Sequence, residues 1–411
     1  MQVLAAQPQA ESTRLTKMRR VTDTRPRLLI MSYSHLFRDA RLLRQIKLFS
    51  TEYAVTTCGY GPAPEGVVAH HEIPGNITAK QLDRSLLLTR RFQQAYDRLA
   101  ITRHVRGVLG NSEFDVILAN DVDTVPIAVG LKPVGGVHAD LHEYATRQQE
   151  EFWRFRWFIA PYLAFLIRRY VRQADSVTTV GAQLAKEYER EFGVPCGIVL
   201  NAPHRADLPV GPVGDPIRLV HAGGATPARL DTMLAAMDLV RTDTTLDLFL
   251  VDSGGGYVEQ VRQRFAGHPR VAVHDAVPTE ALVATLNAFD VGIHILPPIS
   301  FNHRYAMPNK LFDFVQARLG VLTGPSPEMA ALVREHDIGF VTADFTPEAV
   351  ARQIEALTPD TVQTVKENSD RAAELLCAEE QVVGWTTPVK HLADRAARRA
   401  EPVQESTDQS G

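Results

Sequence analysis

Cysteine is scarce in this chain. Three residues in 411, Cys58, Cys196 and Cys377, stand far apart and at no spacing used by a zinc site or a redox pair. They read as buried or idle thiols in a reducing compartment. Long hydrophobic runs are missing too. The longest, Trp157 to Ile167, contains Pro161, is flanked by arginines and is too short to cross a bilayer. The first two dozen residues lack the apolar core of a signal peptide. A polar leader over 1–24, a frayed tail over 401–411 and a cytoplasmic protein are therefore expected. Neither sign of charge dominates: the net charge is -4, which offers no global argument for binding nucleic acid. No G-x-G-x-x-G follows the first apolar run, where the chain reads SYSHLFRD, and no G-x-x-x-x-G-K-[ST] occurs. A dinucleotide dehydrogenase and a P-loop kinase are thereby disfavoured. The G-x-S-x-G elbow of a covalent hydrolase is absent as well.

What is present is the composition of a soluble globular protein, 45% hydrophobic and 22% charged. Short apolar, β-rich runs recur, each followed by a helical pattern. RLLIMSYS, AVTTCGYG, DVILAND, GGVHADLH, SVTTVGA and GIVLNAP fill the first half; IRLVHAGG, LDLFLVDSG, VAVHDAV, DVGIHILPP, GVLTGPS and IGFVTAD fill the second. Strands alternating with helices predict parallel α/β sheets. Six runs on each side of the Pro/Gly-rich join NAPHRADLPVGPVGDP predict two doubly wound, Rossmann-like domains facing across a cleft, with boundaries at 25–205 and 206–379. Ligands in such sheets bind at the carboxyl ends of the strands.

Several stretches at predicted strand ends carry chemistry. NDVDTVP holds Asp121 and Asp123, a weak metal signal that N-capping of the next helix explains as well. His138 and His142 in HADLH are four apart on a strand, where that spacing does not bring two imidazoles together. Within DLHEY, His142 and Glu143 could clamp a substrate hydroxyl or act on its proton; a satisfied loop histidine is the plain alternative. LVHAGGATPAR runs from a strand into Gly223 and Gly224, with Arg229 just beyond, a pattern suited to an oxyanion. In YAMPNKLFDFVQARLGVLTG, Pro308 and Asn309 start a helix whose amides attract phosphate, and Lys310 supplements them. Asp313, one turn in, is placed to accept from the vicinal hydroxyls of a ribose; an ordinary Lys310–Asp313 surface pair is the alternative. The aromatic and basic segment 151–175 is a candidate for peripheral contact with anionic lipid, or a core helix showing its arginines to water.

At these residues the chain resembles a GT-B glycosyltransferase, in particular the family 4 group of nucleotide-sugar-dependent retaining enzymes in its PNK-containing variant. FRDARLLRQIKLFS, DVILANDVDTVP, DLHEY, ADSVTTVGAQLAKEYEREFG and PNKLFDFVQARLGVLTGPSPEMAALV follow the order and spacing of that family from about Arg27 to the 380s. The resemblance implies transfer of a sugar from a UDP-, GDP- or TDP-linked donor to an acceptor hydroxyl. It implies retention, no resident cofactor and no required metal. Arg229 and Lys310 would hold the leaving diphosphate, Asp313 the ribose, and His142 with Glu143 the acceptor side of the cleft. The base would lie near Val277, and residues 380–400 would cross back to the first domain. Two departures stand out. Where many members have an acid eight residues before Asp313, this chain has Tyr305. Where they have a phosphate-binding Arg-x4-Lys, it has Gly224 and Arg229. The partners implied are a small-molecule donor and a sugar, lipid-linked or secondary-metabolite acceptor, with polysaccharide, glycolipid and secondary metabolism all open. A non-catalytic nucleotide-binding subunit and a nucleotide-sugar epimerase of the same fold remain as rival readings.

Overall fold

A computed structural model describes residues 23–400 apart from Lys80 and Ser253. The expected tail, and all but the last two residues of the expected leader, lie outside the described residues. Two parallel sheets form the molecule. The first contains β1 (Arg27–His35), β2 (Ala54–Tyr60), β3 (Ala69–Ile73), β4 (Val116–Asn120), β5 (Gly136–Leu141), β6 (Ser176–Thr179) and β7 (Gly197–Ile198). The second contains β8 (Arg218–Ala225), β9 (Thr245–Asp252), β10 (Val271–Asp275), β11 (Val291–His294), β12 (Gly320–Thr323) and β13 (Gly339–Val341). Their orders are β3-β2-β1-β4-β5-β6-β7 and β10-β9-β8-β11-β12-β13. The order reverses between β1 and β4 in one sheet and between β8 and β11 in the other. Those two switch points are where open α/β sheets leave a crevice for a ligand.

The central strands are apolar because helices cover both their faces. Every residue of β4, β5, β11 and β12 is buried. β3, which reads AHHEI with only Ile73 buried, is the strand that the apolar-run pattern misses: it lies on the sheet edge, where one row of backbone groups needs no partner strand. Local signals set the helix starts. Asp39, for example, accepts from the amides of Arg41 and Leu42 at 3.1 and 3.3 Å and so caps the helix Ala40–Phe49.

The last helix, Val383–Ala400, returns to the first sheet. Trp385, Val389 and Leu392 join one core cluster with Leu28, Ile30, Val116 and Leu118. Arg395 ties it down, donating to Gly135 O and to Asp175 Oδ1, both at 2.5 Å. In the segment 151–175, a π-helical turn over Phe155–Ile159 leads into the helix Ala160–Arg169. Phe155, Tyr162, Leu166 and Ile167 are buried, while Phe152, Trp153 and Trp157 face outward. No described helix is long and apolar enough to cross a membrane.

Candidate active site

On the first-sheet side, a buried carboxylate organises the crevice between β1 and β4. Asp140, the fifth residue of β5, accepts from Arg41 Nε and Nη2 at 2.7 Å each, from Gln45 Nε2 at 2.7 Å and from Thr178 Oγ1 at 2.7 Å. Burial opposes its charge, but Arg41 and His142 hold it well below the usual carboxylate range. Arg41 is itself sandwiched, with its guanidinium 4.6 Å from the ring centroid of Trp385. The network reaches His142 through Asn120. That amide donates from Nδ2 to Gln45 Oε1 at 3.0 Å and to Met31 O at 3.4 Å. Its oxygen is therefore the face turned to His142 Nε2, at 3.1 Å, and His142 carries a proton on Nε2. Asp121 approaches from the other side, accepting from the His142 amide at 3.2 Å and lying 3.5 Å from Nδ1. Burial alone would lower the His142 pKa, but Asp121 and Asp140 leave it raised. Glu143 accepts from Asn302 Nδ2 at 3.2 Å, and burial raises its pKa.

On the second-sheet side the site is cationic. Gly223, with φ +139°, follows the four buried residues Leu219–Ala222 of β8, and a Cβ there would collide with Lys310 Cε and Nζ. The Lys310 side chain thus lies across the glycine backbone, in space that only glycine leaves open. Gly224 and Ala225 continue the β8 pairing with β9, so the paired glycines belong to the strand end and not to a loop. The helix Pro227–Leu239 begins two residues later and carries Arg229 in its first turn. Lys310 and Asn309 open the helix Asn309–Gln316, whose N-cap is Pro308 with no side-chain capping bond; the proline stands before the first turn and not in it. Its first amides are unclaimed by a cap. Burial, then Arg229, pushes the Lys310 ammonium down to about 8. Burial pushes Asp313 up to about 6, against the pull of Lys310 and of Arg44 from the first half. Among the described residues neither Arg229 nor Lys310 has a carboxylate within ion-pair distance, so the surface-pair reading of Lys310 and Asp313 fails.

The two halves meet around these groups. His142, Arg41 and Asn201 share a recess of about 430 Å³ with Asn309. Arg44 donates from Nη2 to Asn201 Oδ1 at 3.2 Å and from Nη1 to Ala202 O. The short helix Phe301–Arg304 reaches across: the Phe301 amide donates to Glu150 Oε1 at 2.6 Å, and the Tyr144 amide donates to Asn302 Oδ1 at 3.2 Å. The Phe301 ring lies 5.0 Å from Tyr144 and 4.6 Å from Tyr305, with Arg147 4.6 Å over its face. Tyr305, the residue at the missing acid, is therefore packed against the first domain's core.

Solved structures repeat this architecture over nearly the whole chain. HepE of Anabaena, solved with UDP and glucose, superposes with a TM-score of 0.60 at 13% identity, covering 91% of this chain and 100% of its own. Sucrose-phosphate synthase of Thermosynechococcus elongatus gives 0.62 at 13% identity, with 90% and 99% covered. The α,α-trehalose 6-phosphate synthase of Burkholderia multivorans gives 0.61 at 9% identity, with 92% and 99% covered. The fold is GT-B. No family model matches the sequence, and no curated protein does.

Within this GT-B frame the structure brings together Gly223, Arg229, Lys310, Asn309 and Asp313 on one side and His142 and Glu143 on the other. Val277 is half-buried in the loop after β10, the edge strand two positions from β8. Capping does not explain Asp121 or Asp123, because the helix Val125–Leu131 has Thr124 at its N-cap with no side-chain bond. Asp121 instead adopts φ +66° and holds His142. His138 is a satisfied core residue between Ser176 Oγ at 2.8 Å and Thr178 Oγ1 at 3.0 Å, and burial pushes it down to about 4. Among the described residues no three His, Cys, Asp or Glu side chains are grouped to hold a metal ion. Arg41, Asn120 and Asp140 were not singled out from sequence. A polar residue inside an otherwise apolar strand, such as Asp140 in GVHADL, is the signal that could have found them.

Proposed function

We propose that this chain transfers a sugar from a nucleoside diphosphate sugar to an acceptor hydroxyl, as a retaining, family 4-like enzyme of the PNK variant. The observation that carries the reading is the pair of half-buried cations, Arg229 and Lys310, without acidic partners, at the uncapped start of the helix Asn309–Gln316. Two unpaired cations facing one crevice repel each other and are costly unless an anion sits between them. A diphosphate satisfies them, and Asp313 one turn away accepts the ribose hydroxyls. HepE, solved with UDP and with UDP-glucose, supports the same ligand class. During transfer the anomeric carbon–oxygen bond to the diphosphate breaks, one to the acceptor oxygen forms, and the acceptor's hydroxyl proton passes to the departing phosphate oxygen. Negative charge grows on the leaving phosphate, where Lys310, Arg229 and the helix amides stabilise it without a metal. His142, held by Asn120 and Asp121, lines the first-domain side of the cleft beside the transferred sugar. Glu143, linked to Asn302, responds to closure of the cleft, which excludes competing water.

The test is turnover and binding together. Incubation with UDP-, GDP- and TDP-sugars is expected to release nucleoside diphosphate from at least one donor. Titration calorimetry is expected to show Lys310→Ala weakening the same donor by about 10- to 100-fold, the loss of one charge-assisted contact. Unchanged affinity in both Lys310→Ala and Asp313→Ala would remove the site assignment. Binding without release from any donor would point to a nucleotide-binding subunit.

A further inference from the structure

Beside His142 and Glu143 the first domain holds a second, larger recess of about 600 Å³, a volume suited to a ligand of disaccharide or small glycoside size. It runs from the ends of β1 and β4 to the π-helical turn at Phe155–Ile159. Its polar end holds Asp123, Tyr33 and Tyr162; its apolar wall is Phe155, Ile159 and Leu163. Three features make the polar end unusual. The hydroxyl of Tyr162 is buried and has no hydrogen-bond partner, and that of Tyr33 is buried with only the Tyr96 phenol beside it. The Asp123 carboxylate accepts from no donor among the described residues, although burial and Asp121 push its pKa up to about 7. Third, the described lining holds three carboxylates, of Asp121, Asp123 and Glu143, and no lysine or arginine.

Buried polar groups in folded proteins are almost always paired. A phenol and a carboxylate left unpaired around one recess, with a second phenol held only by Tyr96, are groups waiting for a ligand that supplies hydroxyls. The sign of the field restricts that ligand further. A phosphate or carboxylate entering this end would meet like charge. Among the described lining residues the group able to carry positive charge, His142, already faces Asp121 at 3.5 Å. That repulsive arrangement selects as strongly as any contact. The apolar wall formed by one face of 155–163 then takes a part of the ligand that has no polar groups.

We infer that this recess binds the acceptor, that Asp123 together with Tyr33 and Tyr162 orients its hydroxyls, and that the acceptor is an uncharged, hydroxylated molecule with an apolar aglycone. The inference rests on the donor-site reading above and adds the acceptor class to it. Phosphorylated sugars, the compounds for which the neighbouring sucrose-phosphate and trehalose 6-phosphate synthases are named, do not fit the charge of this pocket.

The experiment uses the full chain saturated with the nucleoside diphosphate it binds best, so that donor-site failure registers separately as no nucleotide binding. Octyl glucoside, octyl galactoside and octyl mannoside, below their micelle concentrations, are each paired with the 6-phosphate of the same sugar. Ligand-observed NMR reads binding, and donor assays read transfer. At least one neutral octyl glycoside is expected to bind and none of the phosphates. Asp123→Asn is expected to raise the acceptor KM about tenfold or more, with Asp123→Glu partly restoring it, while nucleotide affinity stays at the wild-type value. Two results overturn the inference: binding of a sugar phosphate in preference to its neutral partner, or binding of no neutral glycoside by enzyme that holds nucleotide. An acceptor KM unmoved in Asp123→Asn overturns the role of that residue. Tyr162→Phe, which keeps the ring and its packing, is the control for a purely structural effect and is expected to raise the same KM.

Discussion

Lys310 and Asp313 sit one turn apart with displaced and opposed titrations, and their chemistry sets a pH window. In the proposed donor site Asp313 accepts ribose hydroxyls best as a carboxylate, so donor affinity is expected to rise as pH passes about 6. Lys310 holds phosphate as an ammonium, so affinity falls as pH passes about 8. Binding of UDP-glucose, whose diphosphate does not titrate in that range, is expected to peak between the two values by calorimetry. A flat profile from pH 5 to 9 would separate these groups from the donor. Asp123 gives a second prediction, with the opposite consequence for function and for stability. Its carboxyl ionises near 7 in the fold against an ordinary value of 3.8. The unfolded chain thus loses that proton first, and the fold is progressively destabilised between those values. Asp123→Asn carries no such penalty. It is expected to melt above wild type at pH 8 and to match it near pH 4, by scanning calorimetry, even as acceptor use declines. The residues proposed for the donor grip could be singled out one by one because helix starts and glycine pairs are local patterns. Asp140, Arg41 and Asn120 were not, since nothing local in FRDARLLRQ or HADLH states that the two segments meet.

At the level of elements, the close approach of β8 to the helix Asn309–Gln316 is what makes the cationic site. Lys310 crosses β8 at Gly223, and any side chain there would displace it. Gly223→Ala is expected to reduce donor affinity nearly as far as Lys310→Ala, and combining the two should add little, since both remove one contact. Additive losses in a double-mutant cycle would show that Gly223 acts by another route. Twelve of the strands follow from apolar runs, because parallel strands buried on both faces must be apolar along their length. β3 escaped because an edge strand carries no such demand. The segment around 155–169 was legible as helical and amphipathic, yet its π-helical first turn, which turns Phe155 and Ile159 to the recess, depends on what packs beneath it.

For the whole molecule, closure of the two halves runs through Phe301. Its amide binds Glu150, and its ring lies among Tyr144, Tyr305 and Arg147. Glu328 adds a second clasp, accepting from the Gln183 amide at the start of the helix Ala182–Phe192. Phe301→Ala removes the ring contacts and keeps the backbone bond. It is expected to leave nucleotide affinity within a few-fold and to raise the ratio of free sugar to transferred sugar, because a loosened cleft admits water. An unchanged product ratio would place closure elsewhere.

Period, composition and helix-start chemistry by themselves determined that the chain forms two parallel α/β units, and they marked the residues competent to hold a diphosphate and a ribose. Those signals are local, written within one turn or one strand. The tertiary structure decided the rest: that Tyr305 packs as a wedge in place of an acid, that Asp140 is linked to His142 through Gln45 and Asn120, and that Asp123 lines an open recess with no lysine or arginine among its described residues. Each of these depends on segments far apart in the sequence, or on a side chain's choice between core and crevice. Alternation and propensity do not encode that choice; only the burial of one surface against another settles it.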